Sequence, residues 1–247
     1  CGETSALYDT IWVKGLDLRL PDFLVKGVFI ERANRFVCRV EVQGRMETAH
    51  LANSGRLKEL LVPGRQVYLI ESFSSHRRTR YDMLLVALDN VLVSVDARLP
   101  NDIVEEGIRS GILSPFRTYS NVRREVTFGH SRLDFLLQND GQLCYIEVKS
   151  ITLVEHGRGL FPDAPTIRGR QHLLSLMQAR HDGHRAAIVF IVQRPDVTDF
   201  SPNDATDPAF GKALRAAQRA GVGIYAYRCQ VTLKEIRIET EIPVIIG

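Results

Sequence analysis

The stretch from Ser131 to Lys149 constrains this 247-residue chain more than any other. It reads Ser131-Arg132-Leu133-Asp134-Phe135-Leu136-Leu137, then Asp140-Gly141, then Leu143-Cys144-Tyr145-Ile146-Glu147-Val148-Lys149. Two apolar, aromatic-rich runs around an Asp-Gly pair predict a β-hairpin. With Asp140-Gly141 as a two-residue turn, Leu137 falls opposite Cys144, Phe135 opposite Ile146 and Leu133 opposite Val148. A symmetric four-residue loop gives the same register. These six side chains make one apolar face that belongs on a core. The other face sets Asp134 opposite Glu147 and Arg132 opposite Lys149.

Directly opposed side chains lie roughly 4.5–5.5 Å apart at Cβ, and like charges placed so repel. A hard divalent cation offsets that repulsion, because Mg²⁺ is usually held by one or two carboxylates, waters and phosphate oxygens. Lys149 shares the face with Glu147 and could orient a water or steady developing charge. The pattern predicts a phosphodiester-cleaving site. A plainer reading stands beside it, in which Asp134 pairs with Arg132 or Lys149 on a solvated sheet face.

Asp134, a hairpin and then Glu147-Val148-Lys149 together resemble the PD-(D/E)xK nuclease pattern. The longer string is more specific. Those residues, with Thr152-Leu153-Val154-Glu155, Leu160-Phe161-Pro162-Asp163-Ala164, Arg168-Gly169-Arg170-Gln171-His172-Leu173 and Phe190-Ile191-Val192-Gln193-Arg194-Pro195-Asp196, closely resemble the sugar fermentation stimulation protein A family. The likeness runs from about Leu16 to the end. It implies an α/β (α+β) chain, with an N-terminal OB-like β-barrel over residues 1–95. A PD-(D/E)xK restriction-endonuclease-like domain with a mixed central sheet then spans 96–247, and the last strands of the chain could pack back on the barrel. It also implies sequence-nonspecific DNA binding and a link to the regulation of sugar fermentation. By the family pattern Glu106, on the first helix of the second domain, joins Asp134 and Glu147 around Mg²⁺ or Mn²⁺. Glu125 matches a further family position. Gln171 stands where the family usually has Lys, and Leu51-Ala52 where it usually has Cys-Pro.

Composition sets outer bounds. A hydrophobic fraction of 45% and a charged fraction of 25% are ordinary for a globular protein. A net charge of +3 permits nucleic-acid binding without demanding it, so the placement of charge matters more than its sum. The four cysteines show no CxxC pair or zinc spacing, and Cys38 and Cys144 sit in apolar runs as core residues. This usage predicts a reducing cytoplasm. No apolar run is long enough to cross a membrane as a helix, and no signal peptide is visible.

In chain order, 16–20 could open a strand, and short strands follow at 23–30, 36–42, 46–50, 67–72, 84–88 and 91–95. Turn residues separate them, which predicts a small barrel. A short helix is expected at 56–61. Two loops could face nucleic acid: one carries His76, Arg77, Arg78, Arg80 and Tyr81, suited to clamping phosphates and stacking on a base. The other runs from His50 through Asn53 and Gly55 to Arg56, where an Asx-type turn with Gly55 at positive φ is the simpler reading. Either loop could equally be a solvated surface.

Residues 96–100 read as a linker, with Asn101 capping a helix at 102–109. The strand before the hairpin carries Arg124, a further candidate DNA contact. A loop to Phe161-Pro162-Asp163 should edge the cleft. A helix at 166–180 puts Arg168 and His172 on one face, with Leu173, Leu176, Met177 and Arg180 on the other. There Arg168 could hold a phosphate, and His172 could bond one or move a proton, although a lone helical His is more often structural. A buried strand at 186–192, a helix at 207–220 and strands at 222–227, 231–238 and 242–246 complete the second half.

Three functions fit. The first is a metal-dependent DNA nuclease with Asp134, Glu147, Lys149 and His172 at its centre. The second is a non-catalytic DNA-binding regulator or nucleoid-associated protein with a vestigial nuclease site. The third, a small-molecule phosphodiesterase, needs a deep pocket instead of an open basic cleft. The oligomeric state, a homodimer included, is left open.

Overall fold

The computed structural model describes residues 18–72 and 78–247. The chain divides into two compact units. The first holds the chain up to Leu99 together with Gln193–Asp196 and Cys229–Arg237. The second holds Pro100–Val192, Val197–Arg228 and Ile238–Gly247.

In the first unit the strands are β1 (Leu18–Arg19), β2 (Val25–Asn34), β3 (Val37–Val42), β4 (Arg45–His50), β5 (Gln66–Glu71), β6 (Tyr81–Leu88) and β7 (Val91–Ser94). Strands β2 to β7 are ordered β4-β3-β2-β5-β6-β7, and β4 also pairs with β6 through Ala49↔Tyr81 and His50↔Asp82. That extra pairing closes β2–β6 into a barrel, which removes the sheet edges. Strand β3 alternates strictly, and its inward residues Cys38, Val40 and Val42 are buried with Phe29, Leu69 and Met83. Shifts in the β2–β3 register bend the long β2 around the barrel.

The helix expected at 56–61 is a turn instead. Leu57 has φ 51° and its carbonyl accepts from the N–H groups of Leu60 and Leu61. A six-residue helix gains too few bonds to repay nucleation, and Arg32 holds the preceding carbonyls in a different path. Its guanidinium donates to the carbonyls of Gly55 at 2.6 Å, Arg35 at 2.7 Å, Asn53 at 2.9 Å and Arg56 at 2.9 Å. The Asx turn is present, with the Gly55 N–H on Asn53 Oδ1 at 2.8 Å, but Gly55 is not among the residues at positive φ. Leu16 and Asp17, part of the first expected strand, lie outside the described residues.

The second unit carries helix α1 (Leu99–Arg109), strands β8 (Asn121–Phe128), β9 (Ser131–Asn139), β10 (Gln142–Ile151), β11 (Val154–Glu155) and β12 (Arg158–Phe161), and helix α2 (Ile167–His181). Strands β13 (Arg185–Val192) and β14 (Asp199–Pro202), helix α3 (Pro208–Arg219), β15 (Gly223–Val231) and β16 (Glu235–Ile242) follow, the end of β15 from Cys229 and the start of β16 up to Arg237 being counted with the first unit. The main sheet runs β1-β16-β15-β13-β10-β9-β8, with β1 antiparallel to β16 through Leu18↔Ile236. It is mixed: β10, β13 and β15 are mutually parallel, while β8, β9 and β10 form an antiparallel meander. Strand β13 is buried on both faces from Ala186 to Val192, as its unbroken apolar run requires. Leu173 and Leu176 of α2 and Phe210 and Leu214 of α3 share one buried cluster with Ile188 and Phe190 of β13.

The linker is shorter than expected, because α1 starts at Leu99 with Pro100 in its first turn, where a fixed φ and a missing N–H do no harm. Asn101 is therefore inside the helix and is not its cap. Residues 154–161 are not a plain loop: β11 and β12 form a hairpin that pairs in parallel with β14. The last segment, 242–246, is not a strand beyond a single bridge between Phe200 and Val244. Among the described residues, no helix is long and apolar enough to cross a membrane.

Candidate active site

The hairpin adopts the expected register. Asp140 and Gly141 both take positive φ, at 45° and 79°, the requirement of a tight two-residue turn. Leu137 pairs with Cys144 and Phe135 with Ile146. All six expected core residues of the hairpin are buried.

The β9–β10 pairing then stops at Phe135↔Ile146. The next N–H of β10 facing β9, that of Val148, goes to the side chain of Asp134, with Oδ2 accepting at 2.7 Å. On the other flank, the β8–β9 ladder is regular on both sides of Asp134 and interrupted opposite it, at Glu125, whose φ is 55°. Asp134 thus occupies a break in the sheet on both sides. Its Oδ1 accepts from Nδ2 of Asn101 on α1 at 3.0 Å.

Glu147 is 2% exposed. Its Oε1 accepts short hydrogen bonds from Nζ of Lys149 and from Nδ1 of His172, while its Oε2 is buried with no hydrogen-bond partner. His172 Nε2 lies 3.2 Å from Nε of Arg168, which can only donate. The ring therefore accepts at Nε2 and carries its proton on Nδ1, facing Glu147. Helix α2 delivers both residues: Thr166 caps it, with Oγ1 accepting from the Gly169 N–H at 3.0 Å. The i, i+4 spacing then puts Arg168 and His172 on one face.

The two carboxyls are driven apart electrostatically. Burial, and then the charge of Glu147, push the Asp134 carboxyl above its ordinary value, against the opposing pull of the Val148 N–H, Lys149 and Asn101. Burial also acts to raise Glu147, but Lys149 and the His172 hydrogen bond outweigh it and hold that carboxyl below its ordinary value. Carboxyls perturbed by burial and by a specific charge partner are typical of functional sites. The solvated-face reading does not describe this cluster. Arg132 is engaged by Glu125, Lys149 by Glu147, and Glu147 is out of contact with solvent.

The remaining candidates fall elsewhere. Glu106 lies on α1, and among the described residues no three of His, Cys, Asp and Glu converge to hold a metal. Glu106 therefore does not complete a three-carboxylate centre with Asp134 and Glu147. Arg124 is held by Asp102 at 2.7 Å and by Glu105, with its guanidinium over the Phe135 ring. Arg80 pairs with Glu47 and Glu71, each at 2.9 Å. Arg56, Arg78 and Arg168 are exposed, and Arg77 lies outside the described residues, as does His76. Asn101 was legible only as a helix cap, since nothing in a linear sequence signals that its amide reaches Asp134.

The donor set suits a hard cation: carboxylate oxygens only, one of them buried without a partner, in a site where like charges raise an acid's pKa. A closed OB barrel followed by a mixed sheet, with a broken hairpin carrying Asp, Glu and Lys, defines a barrel-plus-nuclease-like α+β protein. Residues 30–95 match the family model described as the SfsA N-terminal OB domain, and residues 98–235 match that described as the sugar fermentation stimulation protein RE domain. The chain belongs to the sugar fermentation stimulation protein family. It is 45% identical over 229 residues to a sugar fermentation stimulation protein homolog of Desulforamulus reducens, covering 93% of this chain and 95% of that one. A homolog from Moorella thermoacetica is 48% identical over 216 residues, covering 87% and 93%. Among solved structures, SfsA of Pyrococcus furiosus in complex with Ca²⁺ superposes with a TM-score of 0.85 at 34% identity, over 91% of this chain and 96% of that one.

Proposed function

We propose that this chain binds DNA without sequence preference and that its second unit carries a divalent-metal-dependent phosphodiester-cleaving site. The observation that carries the proposal is the buried, unpartnered Oε2 of Glu147 in the same cluster as the desolvated carboxylate of Asp134. Buried polar atoms without protein partners are rare and call for an explanation, a bound water or ion being the usual one. The Ca²⁺ complex of the Pyrococcus furiosus relative supports a divalent ion, with Mg²⁺ or Mn²⁺ as the working ion. When bound, such an ion supplies charge that offsets the two carboxylates and stabilises a phosphodiester's developing negative charge.

Asp134 and Glu147 hold the ion. Lys149 orients the attacking water or steadies charge. Arg168 receives the phosphate, and His172 fixes Glu147 through Nδ1. The barrel, residues 1–95, tracks the backbone of DNA, and Arg56, Arg77 and Arg78 are its candidate contacts, while residues 96–247 form the cutting domain. Three buried free thiols support a reducing, cytoplasmic setting. Phosphate contacts dominate nonspecific binding, so affinity should fall steeply with salt.

A second reading, a DNA-binding regulator that cuts nothing, draws on a specific observation: Lys149 and His172 both occupy Oε1 of Glu147, and no third carboxylate converges. Cleavage of circular, linear and single-stranded DNA with Mg²⁺ or Mn²⁺ separates the two. Nicking by the wild type that is lost in Glu147→Ala and Lys149→Ala supports the nuclease. Intact DNA in every lane, with binding unchanged, supports the regulator. A flat salt dependence of binding rejects both.

A further inference from the structure

Asp134 and Glu147 are supported in different ways. Glu147 is neutralised by a cation, Lys149, and its pKa is held down. Asp134 is held by two neutral donors, the Val148 N–H at 2.7 Å and the Asn101 amide at 3.0 Å. The backbone donor is fixed by the break in the hairpin. The side-chain donor comes from a different element, α1, and from a residue that the helix does not need as a cap.

A neutral donor has a distinct use here. An arginine or lysine in place of Asn101 would neutralise Asp134 and compete with a metal. An apolar residue would leave the carboxylate held by the Val148 N–H alone and still more desolvated. An amide fixes the plane of the carboxylate, favours its ionised form and leaves its charge available, because each carboxylate oxygen can accept a second bond. Groups that orient a metal-binding carboxylate in this way govern affinity although they never touch the ion.

Helix α1 is also anchored so that Asn101 stays in reach. Asp102 and Glu105 both engage Arg124 of β8, and Glu105 engages Arg109 one turn on. The acidic residues of this helix face thus serve to dock the helix on β8, and Asn101 projects from the docked helix to Asp134.

We infer that Asn101 is the positioning residue for Asp134, and that its amide sets the affinity of the site for a divalent cation. The inference rests on the proposal that Asp134 and Glu147 hold such an ion. The test is calorimetric titration of Mn²⁺ into the full chain and its Asp134→Ala, Asn101→Ala and Asn101→Leu variants, with the metal-free melting temperature of each. Leucine keeps the branched shape of Asn101 without its donor, and alanine removes both, so the pair separates hydrogen bonding from packing. The expected result is wild-type binding, none in Asp134→Ala, and roughly tenfold weaker binding in both Asn101 variants, each of which still unfolds cooperatively at a modestly lower melting temperature. Wild-type affinity in either folded Asn101 variant overturns the inference and leaves the metal site standing. Absence of Mn²⁺ binding by the wild type overturns both.

Discussion

The carboxylate of Asp134 accepts the N–H of Val148 at 2.7 Å, at the point where β9 and β10 cease to pair. A side chain has taken a bond that the neighbouring strand would otherwise receive. The two strands part there, and the opening is where Glu147 and Lys149 emerge from β10. The separation of the strands and the fixing of the acid are one event.

Lys149→Met should destabilise the fold. Glu147 is 2% exposed, and removing its cation leaves a buried charge with only His172 to hold it. Breaking one side of such a pair costs about 3 kcal/mol. Urea unfolding reads the loss directly. Saturating Mn²⁺ should recover part of it by supplying a replacement charge, and an unchanged midpoint without metal would show that Lys149 does not balance Glu147.

Asp207 ties the starts of two helices together. It caps α3, with Oδ1 accepting from the Phe210 N–H at 2.9 Å, and its Oδ2 accepts from the Thr166 N–H at 2.8 Å, just ahead of α2. Arg170 donates to both oxygens at 3.1 and 3.2 Å. Asp207→Ala loses a cap and strands buried donors, a cost of roughly 2–4 kcal/mol. Because α2 carries Arg168 and His172, Mn²⁺ binding should weaken as well. Chemical denaturation and calorimetry check the two effects.

The same residue sets a pH dependence. Burial acts to raise Asp207, but the two backbone N–H groups and Arg170 outweigh it and hold the carboxyl below its ordinary 3.8. A depressed folded pKa gives stability that is complete above the unfolded value and lost as pH falls through the folded one. The stability difference between wild type and Asp207→Asn should therefore be full above about pH 5 and shrink toward about pH 2. A difference that stays constant over that range would exclude the charge as its source.

Cys38 and Cys144 should resist alkylation. Burial pushes both thiols up to about 11, so almost no thiolate exists near neutrality. Iodoacetamide at about pH 8, with labelled peptides counted by mass, should modify neither until denaturant is added. Rapid labelling of the folded chain would mean that these strands open.

Arg32→Lys is not a conservative change in the barrel. One guanidinium donates to four carbonyls, those of Arg35, Asn53, Gly55 and Arg56. An ammonium cannot reach that fan of acceptors. Hydrogen exchange over residues 53–57 should speed up strongly, with a loss of about 2 kcal/mol in global stability. Unchanged exchange there would show that the Asx turn at Asn53 holds the loop alone.

The local periodicities were legible in the sequence. Alternation in β3, the unbroken apolar β13, the Asp-Gly turn and its register, and the spans of α2 and α3 all depend on neighbours within a few residues. So did the grouping of Asp134, Glu147 and Lys149, because a two-residue turn fixes which residues face each other. Short pieces escape any local pattern where a distant group decides the path. The carbonyls of Asn53, Gly55 and Arg56 turn to meet Arg32, and 158–161 becomes a strand because β14, some forty residues on, pairs with it.

What the sequence determined by itself is the hairpin, the order of its elements and the chemical types at its tip. Tertiary structure alone decided how those groups are held: the end of β9–β10 pairing at Val148, Asn101 reaching Asp134 from α1, and His172 turning its Nδ1–H to Glu147 from α2. Each of these contacts joins residues on different elements, and its energy depends on angles and burial that no spacing along the chain encodes.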